Sequence, residues 1–284
     1  MGGLKPTRVD ASGVAWPPGA PPARIVSLVP STTETLCRLG LGEALVGITA
    51  YCREPAALLA GKTRVGGEKD PDLERIRQLR PDLVVANVEE NVREHVETLR
   101  GWSIPVWVTY PRTVAEGIRM IADLGEVTGA RAPAAALVAE LEALLAGVRA
   151  ATAGRPPVPV FYAIWRDPYM TIGADTYIHD MLAVCGGLNV FGDREGRYPA
   201  VTLEEVRAAA PEVILLPDEP FRFRRVHLRD FTAYPEIPAV RHGRVHLVDG
   251  KPFSWHGPRI ADALGTLPAL FRAEPGRASR PRGV

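Results

Sequence analysis

One segment of this chain occurs twice. Asp72 to Glu90 aligns without a gap on Thr202 to Pro220. Leu73, Glu74, Arg77, Pro81 and Glu89 fall on Leu203, Glu204, Arg207, Pro211 and Glu219, and the apolar run Leu83–Ala86 falls on Val213–Leu216. Each copy reads as a short helix, a proline break, a buried strand and an acidic loop. A chain that uses this unit twice, with a long helix in the middle, is expected to form two similar lobes facing each other across a cleft.

The sequence around the copies extends the pattern. Strands are expected at Arg24–Val29, Leu45–Thr49, Ile104–Thr109, Val160–Ile164 and Arg244–Val248. Helices are expected from Ser31 to about Gly40, over Val92–Leu99, Val114–Thr128, Tyr177–Cys185 and Pro258–Phe271. Ser31 and Glu34 have the spacing of a capping box, and Asp175 is placed to start the helix at Tyr177. Gly186-Gly187 follows a helix and reads as a C-terminal cap. From Ala132 to Ala153, Leu137, Leu141, Leu144, Leu145 and Val148 recur at helical spacing, and Gly154-Arg-Pro-Pro ends the run. Apolar strands alternating with helices indicate parallel sheets covered on both faces. The expected fold class is therefore α/β: two doubly wound parallel-sheet lobes joined by one long α-helix. The expected divisions are an N-terminal extension or small hairpin (1–22), a first lobe (23–130), a connecting helix (131–154), a second lobe (155–273) and a flexible tail (274–284).

Composition narrows the function classes. A net charge of +1 over 284 residues gives no field that would gather nucleic acid or an anionic membrane. Cys37, Cys52 and Cys185 have neither disulfide nor zinc spacing and read as reduced packing residues, with a disulfide from Cys52 as the alternative. No stretch is long and apolar enough for a membrane span, and Met1–Pro22 lacks the apolar centre of a secretory signal. As written, the chain reads as cytoplasmic. No nucleophile elbow, dinucleotide fingerprint or phosphate loop is present, so an enzyme is not expected.

Ligands of open parallel sheets bind beyond the carboxyl ends of the strands. The loops there are aromatic. Tyr51, Tyr110, Trp165, Tyr169, Tyr198, Phe221, Phe223, Phe253 and Trp255 are nine of the 19 aromatic residues, and they suit a flat, bulky ligand. Arg53, Arg112, Arg166 and Arg259 flank the same loops and could fork onto carboxylates or phosphates; ordinary salt bridges are the alternative. His256, in Ser254-Trp-His-Gly-Pro258, could touch a metal, although no second histidine is suitably spaced and no resident metal is expected. The candidate ligand-binding set is Tyr51, Arg53, Trp165, Tyr169, Tyr198, Phe221, Trp255, His256 and Arg259. Glu74 and Glu204 each stand near a helix start, where a carboxylate suits the macrodipole; a two-fold partner is the functional alternative.

Arg24-Ile-Val-Ser-Leu-Val-Pro-Ser-Thr-Thr-Glu34, the Asp72–Val84 unit, the long helix after Gly129, Cys185-Gly-Gly-Leu-Asn-Val-Phe191 and Ser254-Trp-His-Gly-Pro-Arg259 together resemble the helical-backbone substrate-binding proteins of ABC importers. The resemblance covers about residues 5–272. It implies a monomer that holds cobalamin, haem or a ferric siderophore, and an extracytoplasmic location. It implies that Glu74 and Glu204 dock onto a permease dimer, and that Tyr51 and Trp255 contact the ligand. The loop Gly66–Asp70 carries no tryptophan, where a cobalamin-binding member has one nearby. The ligand expected first is cobalamin; haem or a ferric siderophore is the alternative, as is a cytoplasmic corrinoid-handling protein or enzyme reusing the fold.

Overall fold

A computed structural model describes residues 8–16 and 20–272. The tail expected to fray from Glu274 lies outside the described residues. The chain forms two compact units: the first takes the chain up to Pro111, Ala115–Leu141 and His256–Pro258, and the second takes Arg112–Val114, Glu142–Trp255 and the chain from Arg259. Among the described residues no helix is long and apolar enough to cross a membrane.

In the first unit β1 (Ile25–Ser27), α1 (Pro30–Arg38), β2 (Leu45–Ile48), α2 (Ala56–Leu59), β3 (Thr63–Arg64), α3 (Leu73–Gln78), β4 (Leu83–Asn87), α4 (Arg93–Gly101), β5 (Val106–Thr109) and α5 (Val114–Thr128) follow in order. All strand pairs are parallel, in the order β3-β2-β1-β4-β5. Every residue of the interior strand β4 is buried, which is why its sequence shows an apolar run rather than an alternation. Val26, Leu28, Val84, Ala86, Val106 and Val108 pack with Ile76 of α3 and with Val96 and Leu99 of α4.

The segment 8–16 forms the small hairpin expected there, with Val9 bridged to Ala15. It lies along β5. The Ala11 N–H donates to the Val108 carbonyl at 2.9 Å, and the Val108 N–H donates to Asp10 Oδ2 at 3.0 Å. The Asp10 carboxylate is buried and also accepts from Arg100 Nη2 at 2.7 Å, from the Ser12 N–H and hydroxyl, and from the Val14 N–H. Each lone pair taken from water is thus repaid, as a buried carboxylate requires. Trp16 meets Trp107 edge to face at 5.9 Å.

The helix α6 (Arg131–Thr152) is uninterrupted over 22 residues, and the division of the chain into units falls inside it, after Leu141. The second unit contains β6 (Val158–Tyr162), α7 (Tyr177–Val184), β7 (Gly187–Asn189), α8 (Leu203–Ala209) and β8 (Val213–Pro217). After a 3-10 turn at Arg225–His227 come α9 (Leu228–Thr232), α10 (Pro238–Arg241), β9 (Val245–Val248), α11 (Lys251–Ser254) and α12 (Ile260–Arg272). The four strands are again parallel, in the order β7-β6-β8-β9.

The two copies of the repeat agree in structure. From 71 to 90 and from 201 to 220 the degree of burial matches at every position but one, Arg75 being exposed and Glu205 half-buried. Asp72 caps α3 by accepting from the Arg75 N–H, and Thr202 caps α8 by accepting from the Glu205 N–H while Glu205 returns the bond. Arg80 and Ala210, each just before its proline, both take the left-handed backbone at φ 46°.

Three local expectations are corrected. Ser31 and Glu34 do not form a capping box: α1 starts one residue earlier, at Pro30, whose missing N–H costs nothing at a first helical position. Ser31 is then inside the helix, where its carbonyl accepts from Thr35 Oγ1 at 2.8 Å. Thr176, not Asp175, caps α7, through its hydroxyl and the His179 N–H. Asp175 is occupied by Arg112 and Arg197. Gly186 does end α7, at φ 90°, but Gly187 opens the strand β7. That strand and the two-residue β3 are too short for any periodicity to show.

Candidate functional site

Parallel strands place all loops that follow them at one edge of each sheet. In the first unit that edge is built on a buried polar lattice. Thr49 Oγ1 donates to Glu68 Oε1 at 2.9 Å and touches Cys52 Sγ at 3.2 Å; Thr33 Oγ1 reaches the same sulfur at 3.0 Å. Asn91 Nδ2 donates to the Leu28 and Glu68 carbonyls, and Arg64 donates to the Thr49 and Cys52 carbonyls. Burial raises the Glu68 carboxyl above its ordinary range. Tyr51 projects from this lattice with 59% of its surface exposed, beside Gly67. Arg53 is exposed two residues on.

In the second unit a ladder of rings runs outward from the core. Phe161 packs on Phe231, Phe231 on Tyr169, Tyr169 on Phe223, Phe223 on Phe221 and Phe221 on Trp165, with centroids 4.8–6.4 Å apart. Trp165 at its end is 43% exposed and Phe221 half-buried. Tyr169 is a rung of the core: it is 8% exposed, and its hydroxyl donates to Asp230 Oδ2 at 2.6 Å. Arg166 donates to the same carboxylate, Nε to Oδ2 at 2.7 Å. Burial works to raise the Asp230 carboxyl, yet these bonds leave it below its ordinary value. Asp230 was invisible in the sequence because its partners lie more than 60 residues away.

Tyr198 is 40% exposed, with the Arg197 guanidinium 5.7 Å from its ring. Trp255 is half-buried and flanked by two cations, Lys251 at 5.8 Å and Arg259 at 5.3 Å from the ring centroid. Beside it the Glu219 carboxyl, raised by burial, is held partly in check by hydrogen bonds from Ser254 and Trp255. Phe223 and Phe253, counted with the aromatic rim in sequence, are buried in the core.

His256 belongs to the first unit. It is 9% exposed, and burial pushes its imidazole down to about 4. The adjoining Gly257 sits so close to α1 that a Cβ there would lie 2.2 Å from Thr35 Oγ1. Among the described residues no group of three His, Cys, Asp or Glu side chains could hold a metal ion. The three cysteines are free and buried, and burial raises the thiols of Cys37 to about 11 and of Cys185 to about 12.

Glu74 and Glu204 occupy equivalent exposed positions in the first turns of α3 and α8. Their surroundings differ. Glu74 has Arg77 at 3.5 Å, whereas Glu204 accepts from the Tyr234 hydroxyl at 2.8 Å. That bond holds the Glu204 carboxyl below its ordinary value.

The chain is similar to several known proteins. The vitamin B12-binding protein of Vibrio cholerae serotype O1 is 27% identical over 245 residues, which cover 86% of this chain and 87% of that protein. A crystal structure of the periplasmic vitamin B12-binding protein of Vibrio cholerae matches with a TM-score of 0.80 at 25% identity, over 89% of this chain and 98% of that one. The Bacillus subtilis ABC transporter substrate-binding lipoprotein YvrC, uncharacterised, is 30% identical over 253 residues, covering 87% of this chain and 79% of that protein. The periplasmic haem-binding protein of Roseiflexus sp. RS-1, in apo form, matches with a TM-score of 0.78 at 26% identity, over 89% of this chain and 98% of that one. The family model described as periplasmic binding protein matches residues 25–252, and with two parallel-sheet α/β units and relatives that serve ABC transporters, the chain belongs to the periplasmic binding protein family.

Proposed function

We propose that this protein is a substrate-binding component that carries a bulky metal chelate, cobalamin by preference, to an ABC importer. The observation that carries the reading is the set of large aromatic side chains left exposed at the carboxyl edges of both sheets: Tyr51, Trp165 and Tyr198, with Phe221 and Trp255 half-buried beside them. Burying such rings against a flat ligand releases apolar surface at small entropic cost. Arg53 and Arg259 would orient polar edges of the ligand. Tyr169 and His256, both committed to packing, would support the site from behind. The protein acts by binding alone, as do the solute-binding relatives it resembles. Glu74 and Glu204 are the proposed permease contacts, one on each copy of the repeat.

Haem or a ferric siderophore is the second reading. It is favoured by the likeness to the Roseiflexus haem binder and by the loop Gly66–Asp70. That loop carries no tryptophan, where a cobalamin site would use one nearby.

A ligand that binds only the folded state must raise its melting temperature, by about 2.7 kcal/mol of stabilisation at a hundred-fold excess over Kd. A thermal-shift series with cyanocobalamin, haemin and ferric hydroxamate or catecholate siderophores tests the proposal. A rise with one of them supports it. No rise with any, at concentrations far above micromolar, would sink it.

A further inference from the structure

We infer that the turn after β8 selects ligands that carry anionic groups on their rim, an inference that rests on the chelate-binding reading. Phe221 to Arg225 alternates ring and guanidinium, and the fold separates the two sets. Phe221 and Phe223 turn inward onto the aromatic ladder, 5.6 and 6.2 Å from Trp165 and Tyr169. Arg222, Arg224 and Arg225 are left exposed, joined by Arg229 one turn later. The turn is fixed, not loose: the Phe223 N–H donates to the Pro217 carbonyl at 3.1 Å, and the Arg224 N–H donates to His227 Nδ1 at 3.0 Å, while the His227 ring packs 5.3 Å from Phe221.

What sets these arginines apart is their lack of partners. Nearby guanidiniums are engaged: Arg166 by Asp230 and Arg197 by Asp175. Among the described residues none of Arg222, Arg224, Arg225 and Arg229 forms an ion pair. The acidic neighbours in sequence are engaged elsewhere: Asp218 by the Gly250 N–H, Glu219 by the Ser254 hydroxyl, and Asp230 by Arg166 and Tyr169. Four like charges within eight residues repel one another, and among the described residues no ion pair offsets that. They adjoin the most exposed ring of the second unit's ladder, so a ligand stacked on Trp165 and Phe221 would present its edge to them. Guanidinium forks fit carboxylates and phosphates, and such bonds are stronger than those to neutral amides. The ligand class that completes the site is therefore a macrocycle or chelate with two or more carboxylates or phosphates on its periphery. Cobalamin, whose corrin rim is neutral amide, leaves the strip unsatisfied, so the strip weighs toward the second, haem or siderophore, reading.

The test uses matched probes: a corrin bearing free peripheral carboxylates and its fully amidated counterpart, and haemin beside a haem analogue with both propionates amidated. Each is titrated by quenching of tryptophan fluorescence, with the wild type and with the triple variant R222Q/R224Q/R225Q. The wild type should bind a carboxylate form at least ten-fold more tightly than its amide form at low salt. That preference should shrink several-fold between 50 and 500 mM salt as screening grows, and should vanish in the triple variant while the amide form binds unchanged. Equal binding of acid and amide by the wild type overturns this inference and leaves the chelate reading standing, whereas no binding of any probe overturns both. A preference that survives in the triple variant assigns it to other residues and overturns the role of the strip. Binding of the wild type, but not the variant, to vesicles rich in phosphatidylglycerol, with no acid preference among the probes, would reassign the strip to a membrane surface.

Discussion

At the scale of single residues, burial decides which candidate side chains can meet a ligand. Tyr51, Trp165 and Tyr198 are held out in solvent, while Tyr169 and His256, of the same chemical promise, are packed in. Replacing Trp165 by alanine should cost about 1 kcal/mol of stability, through loss of its edge-to-face contact with Phe221, while weakening the proposed ligand at least ten-fold. A ligand affinity that does not change would remove Trp165 from the site. His256 makes an opposite prediction. Its imidazole titrates at about 4 when folded, against an ordinary 6.5. Below 6.5 the unfolded chain gains a proton that the folded chain refuses, so stability is lost as pH falls from 6.5 toward 4, by about 3 kcal/mol in all. The loss should appear as the difference between the wild type and His256→Gln in denaturation midpoints measured at pH 7 and pH 4.5. Identical pH profiles for the two proteins would rule it out.

At the scale of elements, the repeat supplies paired tests. Ala210 takes a left-handed backbone that disfavours any residue with a Cβ by about 1–2 kcal/mol. Ala210→Gly should therefore raise the stability of the second unit by about 0.5 kcal/mol, after the glycine's added freedom when unfolded is subtracted. Thr202→Ala should lower it by about 1 kcal/mol through loss of the reciprocal cap. Urea midpoints moving in opposite directions would bear out both; a destabilised Ala210→Gly would not. The helices and strands of the repeat were legible because each carries a whole burial pattern within twenty residues. So were α5 and α6, whose apolar stripes are long. What escaped was fixed by distant partners. Asp10 finds Arg100, Asp175 finds Arg112, and Asp230 finds Arg166, each more than 60 residues away. The Ser31 capping box failed because Pro30 offered the helix an earlier start, a choice between two local rules that the sequence left even.

At the scale of the whole molecule, duplication sets the frame, and under the proposed function the loops that do not repeat would choose the cargo. Glu74 and Glu204 are where the frame would meet a permease. The double variant Glu74→Ala/Glu204→Ala should keep its ligand affinity and lose most ligand-dependent stimulation of its cognate transporter in proteoliposomes. Loss of ligand affinity would instead place these carboxylates in the pocket. The two sites need not weigh equally, because Tyr234 already orients Glu204 while Glu74 has only a long contact to Arg77.

The hairpin at Val9–Ala15 reaches across the chain rather than along it. Asp10 and Val108, 98 residues apart, are bonded to each other, so the earliest described residues to leave the ribosome must wait for β5 before they have anything to hold. A chain shortened to start at Arg24 would keep all five strands of the first sheet, yet it would bare the outer N–H and C=O groups of β5 as a template for a neighbour's strand. The hairpin thus covers an edge of the sheet, and its removal should be read in light scattering before it is read in ligand binding.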